Sequence, residues 1–377
     1  MTEAALKIGI TGYPVPGGSG VVASELGRLL ARRGHQIHFI AYAPPFRLNR
    51  YDEKLFFHEV EVSNYPLFKY PPYTEALAVK MVEVSRQFDL DILHVHYAIP
   101  HATAGFLARA ILGNPKRPRL VTTLHGTDIT LVGSDRSFYD ITCFSILAAD
   151  RVTAISHYLK AATIRTFPAC TDIEVIPNFI DLAAFSPVRT DCERSHFAAP
   201  GEILLAHLSN FRPVKRPVDT VRVLAEVQKE RPARLMLIGD GPEMATVIAE
   251  AEALRVRDRI HFLGNQDDVQ PLLACADVFL LPSEQESFGL AALEALSCGT
   301  PAVTSNVGGL GELMQNGENG FMVPKGETAA MARRVLELAA DEATLKRFRA
   351  GARESAGRFD AEKIIPMYEK LYCRILA

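Results

Sequence analysis

Short apolar runs bounded by glycine, proline or polar residues alternate along this chain with longer stretches whose apolar positions recur every three or four residues. That alternation predicts parallel strands joined by helices. Residues 6–11 read as a buried strand, 13–20 as a Pro/Gly loop, 21–33 as an amphipathic helix closed by Gly34, and 36–42 as the next strand. Strands at 91–97, 119–124, 151–155 and 173–176 complete a first sheet. Residues 181–200 then mix Ser, Asp, Pro and Ala in the manner of an interdomain connection. The alternation resumes with strands at 202–208, 234–238, 260–263 and 277–281, interleaved with helices, and a helix at 361–375 closes the chain. The expected fold class is α/β: two Rossmann-like domains, 1–180 and 181–359, whose parallel sheets face each other across a cleft. A helix over 360–377 is expected to return and brace the first domain.

A chain of 377 residues exceeds what one core usually serves, which agrees with two domains. The composition is 48% hydrophobic and 23% charged with net charge −3, so neither nucleic acid nor an anionic membrane is the expected partner. The first apolar run breaks at Gly12, too short for a signal peptide or a spanning helix. Six cysteines stand at 143, 170, 192, 275, 298 and 373 without C-x-x-C pairing. They are expected to be reduced thiols of a cytoplasmic protein, with no zinc site.

The densest chemistry lies at 283–301, SEQESFGLAALEALSCGTP. Glu286 and Glu294 are eight residues apart across a loop entering a helix, with Ser287 as the expected N-cap. At about 1.5 Å per residue the spacing covers on the order of 12 Å, the scale of a nucleotide diphosphate-sugar. One glutamate could grip sugar hydroxyls and the other ribose hydroxyls, with the backbone N–H groups of Phe288, Gly289 and Leu290 facing the diphosphate. The competing reading is a solvated helix carrying two surface carboxylates.

Other candidates sit at the carboxyl ends of strands, where ligands of open parallel sheets bind. The loop Gly17, Gly18, Ser19, Gly20 meets a helix start and suits an anion. Tyr97 follows a strand whose His94 reads as a core residue. Thr123 and His125 come from the next strand, His125 with Asp128 or a backbone group to hold its tautomer. In the second half Arg212, Lys215 and Arg216, two to six residues beyond the neutral Asn210, form a cationic knot suited to a diphosphate, while Gly264 and Asn265 could read a base edge. Gly308 and Gly309 could allow a similar close approach. The long segment 44–73 is read as a functional loop, with Arg47 and Asn49 as acceptor candidates.

Taken together these residues resemble the retaining GT-B glycosyltransferases of family 4, which carry an E-x7-E motif, and the likeness covers essentially the whole chain. GITGYPVPGGSGVVASELG, PFRLN, KYPPY, HVHYAIPHA, TTLHGTDIT, SNFRPVKR and GDGPE point, within that family, to the branch that transfers N-acetylglucosamine from UDP-GlcNAc to L-malate in bacillithiol biosynthesis. The resemblance implies that Glu294 binds ribose hydroxyls, Glu286 hexose hydroxyls, and Lys215 with a neighbouring Arg the diphosphate. It implies that Gly20 offers its backbone to the phosphate or acceptor, and that Ser19, Tyr97, His125 and Asn178 line the sugar and malate pocket. Many relatives have an arginine where this chain has Asn210, so Arg212 is the nearest substitute. No cofactor and no essential metal are implied, and a second copy of the chain is the one protein partner considered. Front-face attack, with the departing phosphate taking the malate hydroxyl proton, is the expected route. The alternatives are a GT-B transferase with another acceptor and a non-catalytic sugar-nucleotide binding module.

Overall fold

The computed structural model describes residues 5–15, 17–46, 52–62, 67, 69–113, 118–130, 132–133, 135–187 and 194–377. The chain divides into two compact units, Met1–Asn178 with Glu362–Ala377, and Phe179–Ala361.

Unit 1 contains β1 (Lys7–Thr11), β2 (Gln36–Ala41), β3 (Leu55–Glu59), β4 (Ile92–His96), β5 (Arg119–Leu124), β6 (Arg151–Ala154) and β7 (Ile173–Val175). They pair in parallel in the order β3-β2-β1-β4-β5-β6-β7. Unit 2 contains β8 (Ile203–Leu208), β9 (Ala233–Ile238), β10 (Ile260–Gly264), β11 (Val278–Leu281), β12 (Ala302–Ser305) and β13 (Gly320–Val323), all parallel, in the order β10-β9-β8-β11-β12-β13. The central strands are apolar on both faces because helices cover both: Ile8, Ile10, Ile92, Leu93 and Val95 in unit 1, and Leu204, Leu205, Leu235, Leu237, Phe279 and Leu280 in unit 2, are fully buried or nearly so. In each sheet the winding reverses once, between β1 and β4 and between β8 and β11. Crevices outside the carboxyl ends of strands at such a reversal are where open α/β sheets bind ligands.

Several elements differ from expectation. The first helix spans Gly18–Arg32, with Gly17 at φ 119° as its cap, so Gly18, Ser19 and Gly20 belong to its first turn rather than to a loop. The segment 44–73 contains the strand β3, an edge strand of half-buried aromatic residues whose pattern is not continuously apolar. Arg47 and Asn49 lie outside the described residues. The helix Tyr73–Phe88 follows, burying Leu77, Met81 and Val84 at helical spacing. In unit 2, β12, β13 and the helices Thr328–Leu338 and Glu342–Ala356 extend the expected array. Cys275 is disulfide-bonded, against the expectation of six reduced thiols, and Cys192 lies outside the described residues. Pairing requires approach in space, which spacing along a chain does not encode.

The closing helix, Ala361–Leu376, packs within unit 1. Its Tyr372 hydroxyl meets His94 Nδ1 at 2.7 Å, and Glu369 Oε1 accepts from Arg33 Nε at 2.8 Å. Among the described residues no helix is long and apolar enough to cross a membrane.

Candidate active site

In unit 2 the loops leaving β8 and β11 bring Lys215 and Glu286 together. Lys215 Nζ donates to Glu286 Oε1 at 2.6 Å, and the fully buried Ser283 Oγ donates to the same oxygen at 2.9 Å. Glu286 Oε2 makes no hydrogen bond among the described residues. One carboxylate oxygen is therefore held by a cation and a hydroxyl while the other remains able to accept from a ligand hydroxyl.

The loop after β8 is itself held by a hydrogen-bond chain. His207 Nδ1 lies 2.9 Å from the Leu280 carbonyl, which can only accept, so the ring proton sits on Nδ1. Ser209 Oγ then donates to Nε2 at 2.8 Å and accepts the Phe211 N–H at 3.2 Å. Burial pushes the imidazole down to about 4, partly offset by the Leu280 carbonyl, which keeps it neutral and able to accept. Of the cationic knot, Arg216 is committed to Asp219 at 2.7 Å, a local pair at the start of the helix Pro217–Val227. Arg212 and Asn210 are exposed, and neither side chain is hydrogen-bonded among the described residues.

The helix Leu290–Ser297 is capped by Gly289 in the left-handed region, φ 96°, and not by Ser287. Phe288 is a core side chain, its ring 5.3 Å from that of Phe359. Glu286 and Glu294 are each only 8% exposed, so the solvated-face reading of the two carboxylates is excluded. The Gly309 N–H donates to the Glu286 carbonyl at 2.9 Å and fastens this segment to the loop after β12. Gly264 and Asn265 leave β10, which β9 separates from β8; the Gly264 carbonyl accepts the Gly239 N–H at 2.7 Å, and Asn265 is exposed.

In unit 1 the corresponding strand ends, after β1 and β4, bring Ser19 and Tyr97 together: Ser19 Oγ donates to the Tyr97 hydroxyl at 2.9 Å. Tyr97 adopts φ 86°, and its ring lies 5.2 Å from that of His125, which leaves β5. Gly20 is packed, since a Cβ there would stand 2.4 Å from the Val15 carbonyl oxygen. Asn178 is buried with Oδ1 lacking a partner. Two expectations are corrected. The Thr123 hydroxyl is enclosed by His94 Nε2 and Thr153 Oγ1, both at 2.7 Å, because its strand position faces the helix-covered interior. Asp128 does not hold the His125 ring: its carboxylate accepts the backbone N–H groups of Gly126 (2.8 Å), His125 (3.3 Å) and Ala98 (3.2 Å). The ring is held by His96, Nδ1 to His125 Nε2 at 2.8 Å. Burial pushes His125 down to about 3 and Asp128 up to about 6, the latter against the opposing pull of those three N–H groups.

Ser283 and His96 are the partners that sequence reasoning did not assign. Signals for both existed. S-x-x-E places a hydroxyl three residues before Glu286, and H-x-H in a strand places both rings on one face.

Comparison with known proteins follows this geometry. Residues 16–184 match the model described as Glycosyltransferase Family 4, and residues 188–355 the model described as Glycosyl transferases group 1. A Bacillus anthracis protein, N-acetyl-alpha-D-glucosaminyl L-malate synthase, is 47% identical over 98% of this chain and 97% of its own length. Sucrose-phosphate synthase from Thermosynechococcus elongatus superposes with a TM-score of 0.81 at 21% identity, over 98% of this chain and 99% of that one. Anabaena HepE, solved in complex with UDP-glucose, superposes with a TM-score of 0.79 at 21% identity, over 98% of this chain and all of that one. At such identities the structural likeness speaks to fold. The full-length relative and the two family models carry the conclusion that this chain is a GT-B glycosyltransferase belonging to family 4.

Proposed function

We propose that this glycosyltransferase moves N-acetylglucosamine from UDP-GlcNAc to the hydroxyl of L-malate with retention of configuration, in the cytoplasm, as the opening step of bacillithiol biosynthesis. The observation that carries the donor half is the buried Glu286 carboxylate, gripped by Lys215 and Ser283 at the winding reversal of unit 2. The acceptor half is supported by the name and near full-length identity of the Bacillus anthracis relative.

In this reading Lys215, Arg212 and the N-terminus of the helix Leu290–Ser297 face the diphosphate, Glu286 the hexose and Glu294 the ribose. Ser19, Tyr97, His125 and Asn178 supply polar contacts for the hydroxy-diacid and the sugar. Breaking the bond between the anomeric carbon and the phosphate oxygen places positive character on the hexose and negative charge on UDP, which fixed cations and helix N–H groups stabilise. A phosphate oxygen of the leaving group takes the malate hydroxyl proton as the new glycosidic bond forms on the same face. No protein nucleophile and no cofactor enter this route.

The test is UDP release from UDP-GlcNAc in the presence of L-malate, other hydroxy acids, inositol phosphate or glucose. L-malate is expected to exceed acceptors lacking one carboxylate by roughly tenfold or more in kcat/KM, the worth of one charge-assisted hydrogen bond. Equal rates across these acceptors would remove malate, and release only with a sugar or inositol phosphate would favour a family-4 transferase of another acceptor.

A further inference from the structure

Unit 1 contains a stack of imidazoles whose protons can be placed by elimination. His94 and His96 lie on one face of β4 with rings 4.7 Å apart, and His96 stacks on His125 at 5.0 Å. A hydrogen bond between two neutral imidazole nitrogens needs one N–H and one lone pair. The 2.8 Å contact from His96 Nδ1 to His125 Nε2 therefore ties the two tautomers together. Burial holds both rings far below the ordinary imidazole value, so neither is a cation at neutral pH.

Two arrangements remain. If His125 Nε2 carried the proton, His96 would accept through Nδ1 and hold its own proton on Nε2. That atom is fully buried and without a partner, and an unsatisfied N–H there costs roughly 1–3 kcal/mol. In the other arrangement His96 carries its proton on Nδ1 and donates it to His125, leaving only a lone pair at the enclosed Nε2. Orphaned acceptors are tolerated better than orphaned N–H groups. Neighbouring His101 follows the same pattern: its Nδ1 meets the His96 carbonyl at 2.5 Å, so the proton is there, and its Nε2 is likewise enclosed and unpartnered. His94 is occupied by Tyr372 and Thr123 and does not compete for His125.

We propose that His96 is a positioning residue that locks His125 in the Nδ1–H tautomer, so that His125 presents a hydrogen-bond donor, and not a base, to an oxygen of the bound substrate. His125 Nδ1 makes no hydrogen bond among the described residues, which leaves its N–H for a ligand. This rests on the reading of His125 as substrate-facing given above. The chemical consequence is that the acceptor hydroxyl proton does not pass to His125 but to the leaving phosphate. A neutral imidazole N–H polarises an oxygen without adding a charge to the site.

The test is two-bond proton–nitrogen correlation on full-length protein labelled with 15N-histidine, the His125 signals being identified by their loss in His125→Gln. The expected result is the Nδ1–H pattern for His125 in the ligand-free parent; the Nε2–H pattern overturns the proposal. In His96→Phe the ring is kept and the donor lost, and kcat is expected to fall about 10–100-fold, as for other partners that fix a histidine tautomer. Donor KM should change less than kcat, since diphosphate binding is untouched and only the one contact of His125, to the sugar or the hydroxy-diacid, is weakened. His96→Asn, which returns an N–H near the Nδ1 position, should recover most of kcat. A folded His96→Phe with unchanged kcat overturns the proposal, and if that variant does not fold, the parent spectrum decides alone. A parent that releases no UDP with malate defeats the functional reading above and leaves the tautomer assignment standing.

Discussion

Glu286 and Glu294 are carboxylates almost withdrawn from water, and a chain keeps such groups only when something meets their charge. For Glu286 that something is Lys215 with Ser283 on one oxygen, which leaves the second for a ligand. Glu294 lies eight positions on, within the helix Leu290–Ser297. Glu294→Ala is expected to raise donor KM by about 10–100-fold with a smaller change in kcat, the loss of a charge-assisted hydrogen bond being worth roughly 1.5–3 kcal/mol. Initial-rate kinetics over UDP-GlcNAc concentration measure this, and an unchanged KM would take the ribose role away from Glu294. Residues of this kind were legible in the sequence because spacing and residue type alone mark them. Their partners were less so. Asp128 stands three residues from His125 and is the natural orienting group on spacing, yet its oxygens are taken by three backbone N–H groups, while a histidine 29 positions away in the chain holds the ring.

At the scale of elements, apolar runs located the central strands within a residue or two because those strands are buried on both faces. They failed for β3, whose edge position leaves its aromatic residues half exposed and removes the continuous apolar signal. Glycine runs misled in the opposite sense: Gly18 and Gly20 look like loop but begin a helix, since Gly17 supplies the unusual backbone angle. Glycine is also required by packing where two loops touch. A Cβ on Gly309 would lie 2.1 Å from the Ser287 carbonyl oxygen and 3.1 Å from Phe288 Cα, both backbone atoms of the segment that presents Glu286. Gly309→Ala should therefore shift that segment, lowering stability by about 1–3 kcal/mol and reducing donor affinity together. Thermal melting with and without UDP reads both effects. A variant that melts like the parent and keeps its UDP-induced shift would show that the segment has room the structure does not display.

At the scale of the molecule, both units wind their sheets in the same order, each with one reversal, and each reversal collects polar side chains from the loops on either side. The alternation of elements made this architecture legible, whereas the disulfide bond at Cys275 was not, because spacing along a chain does not encode approach in space. The units differ in acid sensitivity. His94 and His125, pushed by burial to about 3, and His101, to about 4, lie in unit 1, while unit 2 has His207 at about 4. Below the ordinary imidazole value of about 6.5 the unfolded chain takes up protons that these folded sites refuse. Stability from this source is complete above that value and falls as pH drops through about 4 for His101 and His207 and about 3 for His94 and His125, by up to about 1.4 kcal/mol per histidine per pH unit. Asp128, raised to about 6, acts in the opposite sense: its contribution is complete below the ordinary carboxylate value and is lost as pH rises through 6. With His96 and His38 also pushed down by burial in unit 1, its histidines outweigh one carboxyl, so hydrogen exchange at pH 5 should open the amides of β4 and β5 before those of β8 and β11. The reverse order would contradict this balance. The claim on which the whole account rests is that the winding reversal of unit 2 holds the sugar nucleotide's diphosphate, and calorimetric titration of UDP into the parent and into Lys215→Met tests it most directly. The account predicts binding that weakens by about 10–100-fold in the variant, the worth of one charge-assisted contact to phosphate; equal affinity in the two proteins would contradict it.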